Sequence, residues 1–311
     1  MRDKHLLLAF FLLFLGACED PLKMFPDYQI GEPRIIALKV SEPELTLDAR
    51  PTMRLLIGGE TFSQESDLPV LWLVPVESSD ELPPDLLAYL TTPYRDAFSF
   101  PIGMTVGTLL SQEPTLQKTF DKNGWVDLPI FATITINGKN LSVMKTVRVT
   151  QTPRHSNPEI TFIRVVYKDS EDALIEKVVE REGTFILPQS ALSPYLGLDP
   201  ETVSPSEQGN DLLVFRWQFN EDPSYATGLR FCDADCPSNE YLGSDRVTPI
   251  TKEILIDFTN TRKKFSISPP ENDITLMFYL VVRDRSSKAE SVVDNRYGLD
   301  FTTLKLVLTK Q

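Results

Sequence analysis

The chain has 311 residues, of which 41% are hydrophobic and 24% are charged, and its formal net charge at pH 7 is −13. Such an acidic protein lacks the basic footprint that nucleic-acid binding requires, and it is ill suited to electrostatic docking on anionic lipid headgroups. The length and the apolar content are sufficient for large hydrophobic cores and predict two domains.

The N-terminus has the pattern of a secretory signal peptide. A short charged start precedes an apolar run from Leu6 to Leu15, and small residues follow it. The run is too short to cross a bilayer as a helix, which needs about 20 apolar residues. The residues Leu15-Gly16-Ala17-Cys18 resemble the lipobox of bacterial lipoproteins. The alternative is an ordinary signal peptide with a cysteine near its cut site.

The lipobox resemblance implies a lipid anchor. In that family the cysteine receives a diacylglyceryl group on its sulfur, the signal is removed and the new N-terminus is acylated. Here residues 1–17 would be the signal and Cys18 would carry the acyl lipid, which is the one covalent group that we expect. Two or more acyl chains hold a protein stably at a membrane. Glu19 differs from the aspartate that favours inner-membrane retention in enterobacterial lipoproteins, so we expect the outer membrane.

A flexible tether is predicted for residues 18–32. This segment carries Pro21, Pro26 and Gly31 with several acids and little hydrophobic periodicity. Such a composition is typical of a linker, which here would lift the folded part of the chain off the membrane.

The first predicted domain spans residues 33–150 and consists mainly of strands. Short apolar runs bounded by Gly, Pro, Ser and Asp favour strands over helices. The clearest element is a hairpin in which Asn137-Gly138 supplies the positive φ angles of a tight turn. Residues 85–90 follow two prolines and are predicted to form one short helix.

A polar segment with two prolines, residues 151–157, separates this domain from a second one at residues 158–311. The second domain opens on residues 158–166, which weakly repeat residues 33–40. Further strand-like runs follow, and no long segment has helical periodicity. Many short strands between proline-rich turns predict a mostly β chain with two β-sandwiches.

The opening residues 33–44 resemble the start of immunoglobulin-like domains in lipoproteins of Gram-negative bacteria. Residues 214–219 and 279–285 are similar to the core strand and the penultimate strand of such domains. This resemblance implies an immunoglobulin-like fold and an envelope location, and it brings no catalytic residues.

Two cysteines remain besides Cys18, in the sequence Cys232-Asp233-Ala234-Asp235-Cys236. In an oxidising envelope such a pair most often forms a disulfide. A metal site is the rival interpretation, but it would need other soft or nitrogen ligands.

Acidic residues in the same region form a weak calcium candidate. The alternative is a surface loop with charged tips, since chance groupings are expected in so acidic a chain. The candidate carboxylates are Asp233, Asp235, Glu240 and Asp245.

Other motifs for chemistry are weak. After the signal, the chain contains one histidine, His155, in the predicted linker, which makes a Ser-His-Asp or Cys-His mechanism improbable. Ser142 and Lys145 match a Ser-x-x-Lys pattern, but on a strand positions i and i+3 face opposite sides.

Trp72 and Trp217 lie inside apolar runs and are predicted to be core residues.

The sequence therefore predicts a lipid-anchored envelope protein that acts without catalysis, as an interaction or scaffold module for another envelope protein. One alternative is a glycan- or peptidoglycan-binding module, which predicts exposed coplanar aromatic rings on one sheet face. Another is a hydrolase with two carboxylates in a cleft.

Overall fold

The structure is a computed structural model. It describes residues 29–30, 32–59, 68–73, 91–100, 103–169, 171–188, 195–203, 212–220, 230–232, 254–257, 274–285 and 298–309. Two β-sandwiches account for almost all of this part of the chain, which confirms the predicted fold class. The helix predicted at residues 85–90 lies outside the described residues.

The first half of the chain supplies nine strands. They are β1 (Gln29–Ile30), β2 (Arg34–Val40), β3 (Glu44–Leu45), β4 (Thr52–Gly58), β5 (Pro69–Leu73), β6 (Thr91–Pro93), β7 (Phe98–Ser99), β8 (Trp125–Ile136) and β9 (Lys139–Thr150). Sheet I has the strand order β3-β9-β8-β5-β6, and sheet II has the order β2-β4-β7. These two sheets form sandwich 1, whose core includes Trp72, Phe98 and Met53 between the layers.

Two short helices lie between β7 and β8, namely α1 (Val106–Ser111) and α2 (Pro114–Asn123). Thr105 caps α1 by accepting a hydrogen bond from the Thr108 N–H, and Pro114 occupies the first turn of α2, where no amide donor is needed. Gly124 ends α2 at φ +75°. Helices of 6 and 10 residues are too short to show a clear helical period, and neither is predicted from the sequence.

The predicted hairpin is confirmed. Strands β8 and β9 pair antiparallel from Trp125↔Thr150 to Ile136↔Lys139. The turn between them has φ +51° at Asn137 and φ +76° at Gly138, as a tight hairpin requires.

The second half supplies nine more strands. They are β10 (Glu159–Lys168), β11 (Leu174–Glu180), β12 (Thr184–Leu187), β13 (Tyr195–Val203), β14 (Leu212–Asn220), β15 (Arg230–Cys232), β16 (Ile254–Asp257), β17 (Ile274–Arg285) and β18 (Leu299–Leu308). Sheet III has the order β1-β14-β17-β18-β12, and sheet IV has the order β11-β10-β13-β16-β15. Together they form sandwich 2, whose core includes Trp217, Phe278 and Leu304.

Both sandwiches have an immunoglobulin-like strand layout. In each, the chain opens on one sheet and then contributes a short strand that runs parallel to the last strand of the other sheet. These pairs are β3 with β9 and β12 with β18. Apart from the short strand β1, which runs parallel to β14, the remaining described strands of each sandwich pair antiparallel, as in the immunoglobulin fold.

The weak repeat in the sequence corresponds to the first strand of each sandwich. β2 pairs antiparallel with β4, and β10 pairs in the same way with β13. The register shifts between Ile35 and Ala37 in β2, and between Ile160 and Phe162 in β10. These positions coincide when Pro33 is aligned with Pro158, so the similar sequences also share a β-bulge.

The two sandwiches pack face to face, so the sheets form four layers in the order I, II, III, IV. Ile36, Ala37 and Leu56 of sheet II lie against Tyr279 and neighbouring residues of sheet III in a third, separate hydrophobic cluster. Its members from sheet III are Tyr279, Val281, Leu299 and Phe301. The outer face of sheet I and the outer face of sheet IV are therefore at the two ends of the stack.

Candidate interaction surface

Several predicted site residues lie outside the described part of the chain. They are Cys18, Cys236 and the four calcium candidates. Cys232 ends β15, which pairs with β16 at the edge of sheet IV. The lipid anchor, the disulfide and the calcium site stay predictions. In the part of the chain that is described, no group of three or more His, Cys, Asp or Glu side chains is arranged to hold a metal ion.

The Ser-x-x-Lys pattern does not bring its two side chains together. On β9, Ser142 is exposed, whereas Lys145 is 6% exposed and shares the inner face of sheet I with Val147. Burial, with a smaller contribution from the charge of Arg283, lowers the pKa of Lys145 to about 8. The two residues point to opposite sides of the strand, as predicted from their spacing.

Two of the three tryptophans are core residues, as predicted for Trp72 and Trp217. Trp72 and Trp217 are buried in the cores of sandwiches 1 and 2. Trp125 is 39% exposed at the start of β8, and the guanidinium of Arg148 lies 4.2 Å from the centre of its ring. Among the large hydrophobic residues exposed in the described ranges, Trp125 is the one aromatic, so no platform of coplanar rings is seen there.

His155 belongs to a linker that is attached to sandwich 1. Its Nδ1 lies 2.9 Å from Oε1 of Glu44, and the other carboxylate oxygen accepts hydrogen bonds from the N–H groups of Arg154 and His155. The pKa of Glu44 is lowered: burial acts to raise it, but these hydrogen bonds and the charge of His155 outweigh that effect.

We call the contact between sheets II and III, formed around Ala37 and Tyr279, the clasp. At the end of the clasp nearest the linker, Asn157 connects the two sheets. Its Nδ2 donates to the carbonyl oxygens of Val40 and Ser41, at 2.8 and 2.7 Å. Its Oδ1 accepts from the Leu299 N–H at 2.9 Å. One linker side chain thereby joins the end of β2 to the start of β18.

A buried carboxylate reinforces the same junction. Asp300 is fully buried, and its oxygens accept from Lys39 Nζ at 2.6 Å and from both terminal nitrogens of Arg181 at 2.7 and 2.9 Å. The N–H groups of Ile160 and Phe301 donate to it as well. Since Lys39 belongs to sandwich 1 and the other groups to sandwich 2, this charge cluster joins the two.

The opposite end of the clasp is closed by Asn220. Its Oδ1 accepts from the Gly59 N–H at 3.1 Å and from the Tyr279 hydroxyl at 2.8 Å. Beside it, β1 pairs in parallel with Phe219–Asn220 of β14. Residues 29–30 were predicted to belong to the tether, but they add a short strand to sandwich 2 just before the chain enters sandwich 1.

Among the described residues, the outer face of sheet I differs from the outer face of sheet IV in having an uncharged centre. Its middle row is Leu73, Phe131 and Met144, which lie opposite one another on β5, β8 and β9. Met144 is 41% exposed, and the other two are half-buried. Around this row the face carries proline, leucine, threonine, serine and asparagine. These residues are Pro69, Leu71, Thr91, Pro93, Pro129, Thr133, Thr135, Asn140, Ser142 and Thr146.

Four polar side chains of this face are paired with one another. The hydroxyl oxygens of Thr133 and Ser142 are 2.9 Å apart, and Thr135 donates to Asn140 Oδ1 at 2.7 Å. Cross-strand pairing of this kind satisfies hydrogen-bonding groups within the sheet. A covering surface would therefore have few polar groups to satisfy, which lowers the cost of excluding water.

Among the described residues of this face, charges appear in a single row at one end. Arg148 lies opposite Glu44 on β3 and opposite Asp127 on β8. Its Nε is 3.0 Å from Asp127 Oδ1, and its guanidinium lies over Trp125. This arrangement resembles the polar rim that borders the apolar centre of a protein–protein interface.

The outer face of sheet IV has a charged centre and serves as a contrast, although Leu174 and Val203 are also exposed on it. Arg164 at its centre is 2.9 Å from Asp199 and 3.9 Å from both Glu176 and Glu201. Val178, on the neighbouring strand, is 62% exposed among these charges. Of the described sheet faces at the ends of the stack, the face of sheet I is thus the one with an uncharged centre.

No family model and no curated protein matches the chain. Several solved structures are similar to it at low identity. A chimeric titin Z1Z2 shares 10% identity with a TM-score of 0.18, covering 91% of this chain and 99% of that one. Human mucin-like protocadherin EC1-2 shares 12% sequence identity with a TM-score of 0.19, covering 88% of this chain and 98% of that one. The three N-terminal domains of the bacteriophage RB49 Hoc protein share 7% sequence identity with a TM-score of 0.21, covering 88% of this chain and 98% of that one.

Because these TM-scores are low, the immunoglobulin-like assignment depends on the strand order of the two sandwiches. That order defines the class of the protein, which is a tandem of immunoglobulin-like β-sandwiches. In the described part of the chain, no helix is long and apolar enough to cross a membrane.

Proposed function

We propose that the chain is a lipid-anchored, non-enzymatic interaction module of the bacterial cell envelope. Its docking surface would be the outer face of sheet I, and its partner a protein. The observation that carries this proposal is the uncharged, partly apolar centre of that face in a protein whose net charge is −13. Interface centres are depleted in charge, whereas a surface that only maintains solubility is normally charged.

The clasp supports such a role because it makes the docking face rigid. Sheet I is packed on sheet II, and sheet II is held on sheet III by the apolar cluster, Asp300, Asn157 and Asn220. A preorganised surface loses little conformational freedom when it binds, so more of the contact energy appears as affinity.

The anchor is proposed from the lipobox at Cys18, and the outer membrane is the proposed location. Because β1 fixes residues 29–30 on sandwich 2, the free tether would be residues 19–28. Fully extended, this segment spans about 35 Å. The tether would thus keep the clasp near the membrane surface, within reach of other envelope proteins.

The anchor is tested by replacing Cys18 with serine in the native cell. The expected result is loss of acyl labelling and release of the protein from the membrane fraction. Glu19→Ser is the matched control and should leave both properties unchanged. Continued acylation of the Cys18→Ser protein would contradict the proposed anchor.

The docking face is tested by placing a photo-reactive amino acid at position 144 and cross-linking intact cells. The expected result is a discrete protein adduct that mass spectrometry identifies. The same amino acid at position 178, on the charged face of sheet IV, is the matched control and should give no such adduct. Adducts at position 178 only, or attached glycan in place of protein, would contradict the assignment.

A further inference from the structure

We infer that β1 is part of a releasable strap, which sets how far the tether can reach by docking on sandwich 2 or coming away from it. The strap consists of β1, Glu32 and Pro33. This inference rests on the proposed function, because the reach of the tether matters only to an anchored module. The experiments below use the unlipidated chain, so failure of the strap and failure of the anchor can be told apart.

On sandwich 2 the strap is held by a very short ladder. β1 pairs with β14 over two residues, Gln29↔Phe219 and Ile30↔Asn220, at the edge of sheet III. The other edge strand of that sheet, β12, pairs with β18 over its four residues. Parallel pairing is slightly weaker per residue than antiparallel pairing, and elements with few contacts open first. Among the described strands of sheet III, β1 is therefore the one that should detach most readily.

On sandwich 1 the strap has one weak contact and one firm contact. Glu32 Oε2 is 2.6 Å from Lys139 Nζ, but the two side chains are 80% and 64% exposed, so this ion pair stabilises little. Pro33, in contrast, is closely packed, because a Cβ on Gly59 would lie 2.6 Å from its Cα. Strand β2 begins at the next residue. Detachment of the strap should therefore include Glu32 and stop at Pro33.

The docked and the released states of the strap should be close in free energy. Docking fixes the backbone of several residues, which costs conformational entropy. A two-residue ladder returns only a few hydrogen bonds, and each of them replaces a bond with water. Tension on the tether acts first at Gln29, the first paired residue, and favours release. A partner that binds only the extended form would shift the balance in the same direction.

Release would lengthen the tether. It would add residues 29–32 to the predicted free segment, residues 19–28, so that the fully extended reach grows from about 35 Å to about 50 Å. A linked binding site meets its partner only when the linker can span the distance between them. The strap would thus decide whether the docking face of sheet I reaches only partners near the membrane or also more distant ones.

Amide hydrogen exchange of the complete mature chain carrying Cys18→Ser provides the first test. At least one amide of β1 should be protected relative to a disordered peptide, yet it should exchange at least about 100-fold faster than amides at the centre of β17. Absence of any protection in β1 would show that the strap does not dock. Protection equal to that of β17 would show that it does not release. Either result overturns the inference.

Stretching single molecules of the same chain by its two ends provides the decisive test. A reversible lengthening of about 14 Å, the length of residues 29–32, should precede the unfolding of either sandwich. Gln29→Pro with Ile30→Pro removes both β1 amide donors and should abolish this step without changing the later unfolding events. Glu19→Pro with Asp20→Pro is the matched control and should keep the step. A wild-type chain without the step, or a step that persists in the β1 variant, overturns the inference.

These outcomes are separable from failure of the proposed function. If the reversible step is present but Cys18 carries no lipid in cells, the proposed anchor is wrong, whereas β1 is still a releasable strap. If Cys18 is acylated but the step is absent, the strap is wrong and the anchor stands.

Discussion

Lys39 of sandwich 1 and Asp300 of sandwich 2 lie 261 positions apart in the chain, yet Lys39 Nζ is 2.6 Å from Asp300 Oδ1. Arg181 binds the same carboxylate through two nitrogens. The pair therefore crosses the boundary between the sandwiches. The free-energy cost of burying the charged carboxylate is offset by the hydrogen-bond donors that surround both of its oxygens. The contact fixes how sheets II and III are placed on each other.

Replacement of Asp300 by asparagine should destabilise the protein. The amide cannot neutralise Lys39 and Arg181, which would keep two positive charges near a buried neutral group. Removing one partner of a buried charge cluster costs about 3–5 kcal/mol, and urea denaturation at neutral pH measures it. Asp172→Asn is the matched control, because its pair with Lys168 is exposed and should contribute less than about 1 kcal/mol.

Stability should fall in acid partly through the same carboxylate. Burial acts to raise the pKa of Asp300, but hydrogen bonds from Arg181, the Ile160 N–H and Lys39 outweigh it and leave the pKa below its ordinary value. The stabilisation is thus complete above the unfolded pKa of about 3.9 and is lost as the pH falls through the folded pKa.

Urea denaturation from pH 7 down to acid should therefore show the difference between the wild type and Asp300→Asn shrinking below about pH 4. A difference that stays constant over this range would show that ionisation of Asp300 is not what stabilises the junction.

Some of this architecture was visible in the sequence and some was not. The Asn137-Gly138 turn and the two similar opening strands are local patterns, and the structure contains both. The Asp300 cluster joins side chains from distant positions, and no spacing rule reveals such a contact. Because the chain has 44 acidic residues, the sequence also does not indicate that Asp300 in particular is buried.

The face-to-face packing did leave a signal. Residues 35–38 are apolar without alternation, and so are residues 276–282 apart from the tyrosine hydroxyl. A strand that is apolar on both faces is buried on both faces. In the structure Leu38 packs inside sandwich 1 while Ala37 faces sandwich 2, and Phe278 and Tyr279 divide in the same way. Such a run indicates burial on both faces, but residues 70–73 of β5 show the same pattern outside the clasp, so the pattern alone does not identify the clasp strands or their partner.

The far end of the clasp can be examined with a double-mutant cycle. Asn220→Ala should cost about 1–3 kcal/mol, because it leaves the buried Tyr279 hydroxyl and the Gly59 N–H without their acceptor. Tyr279→Phe alone should cost about 1 kcal/mol. The double variant should be less destabilised than the sum, since Tyr279→Phe removes the donor that Asn220→Ala leaves unsatisfied. Strict additivity in urea denaturation would show that the hydroxyl is satisfied by another group.

Two glycines with positive φ should respond differently to alanine. Gly138, at φ +76°, has open space around its Cβ position, so Gly138→Ala should cost about 1–2 kcal/mol from backbone conformation alone. At Gly59, with φ +153°, a Cβ would lie 2.6 Å from the Pro33 Cα and would push apart backbone segments next to the Asn220 hydrogen bond. Gly59→Ala should therefore cost more than Gly138→Ala and should also loosen this end of the clasp. Urea denaturation measures the first effect, and faster amide exchange in β1 and β14 measures the second. Equal costs at the two positions, with exchange unchanged, would contradict the close approach of Gly59 to Pro33.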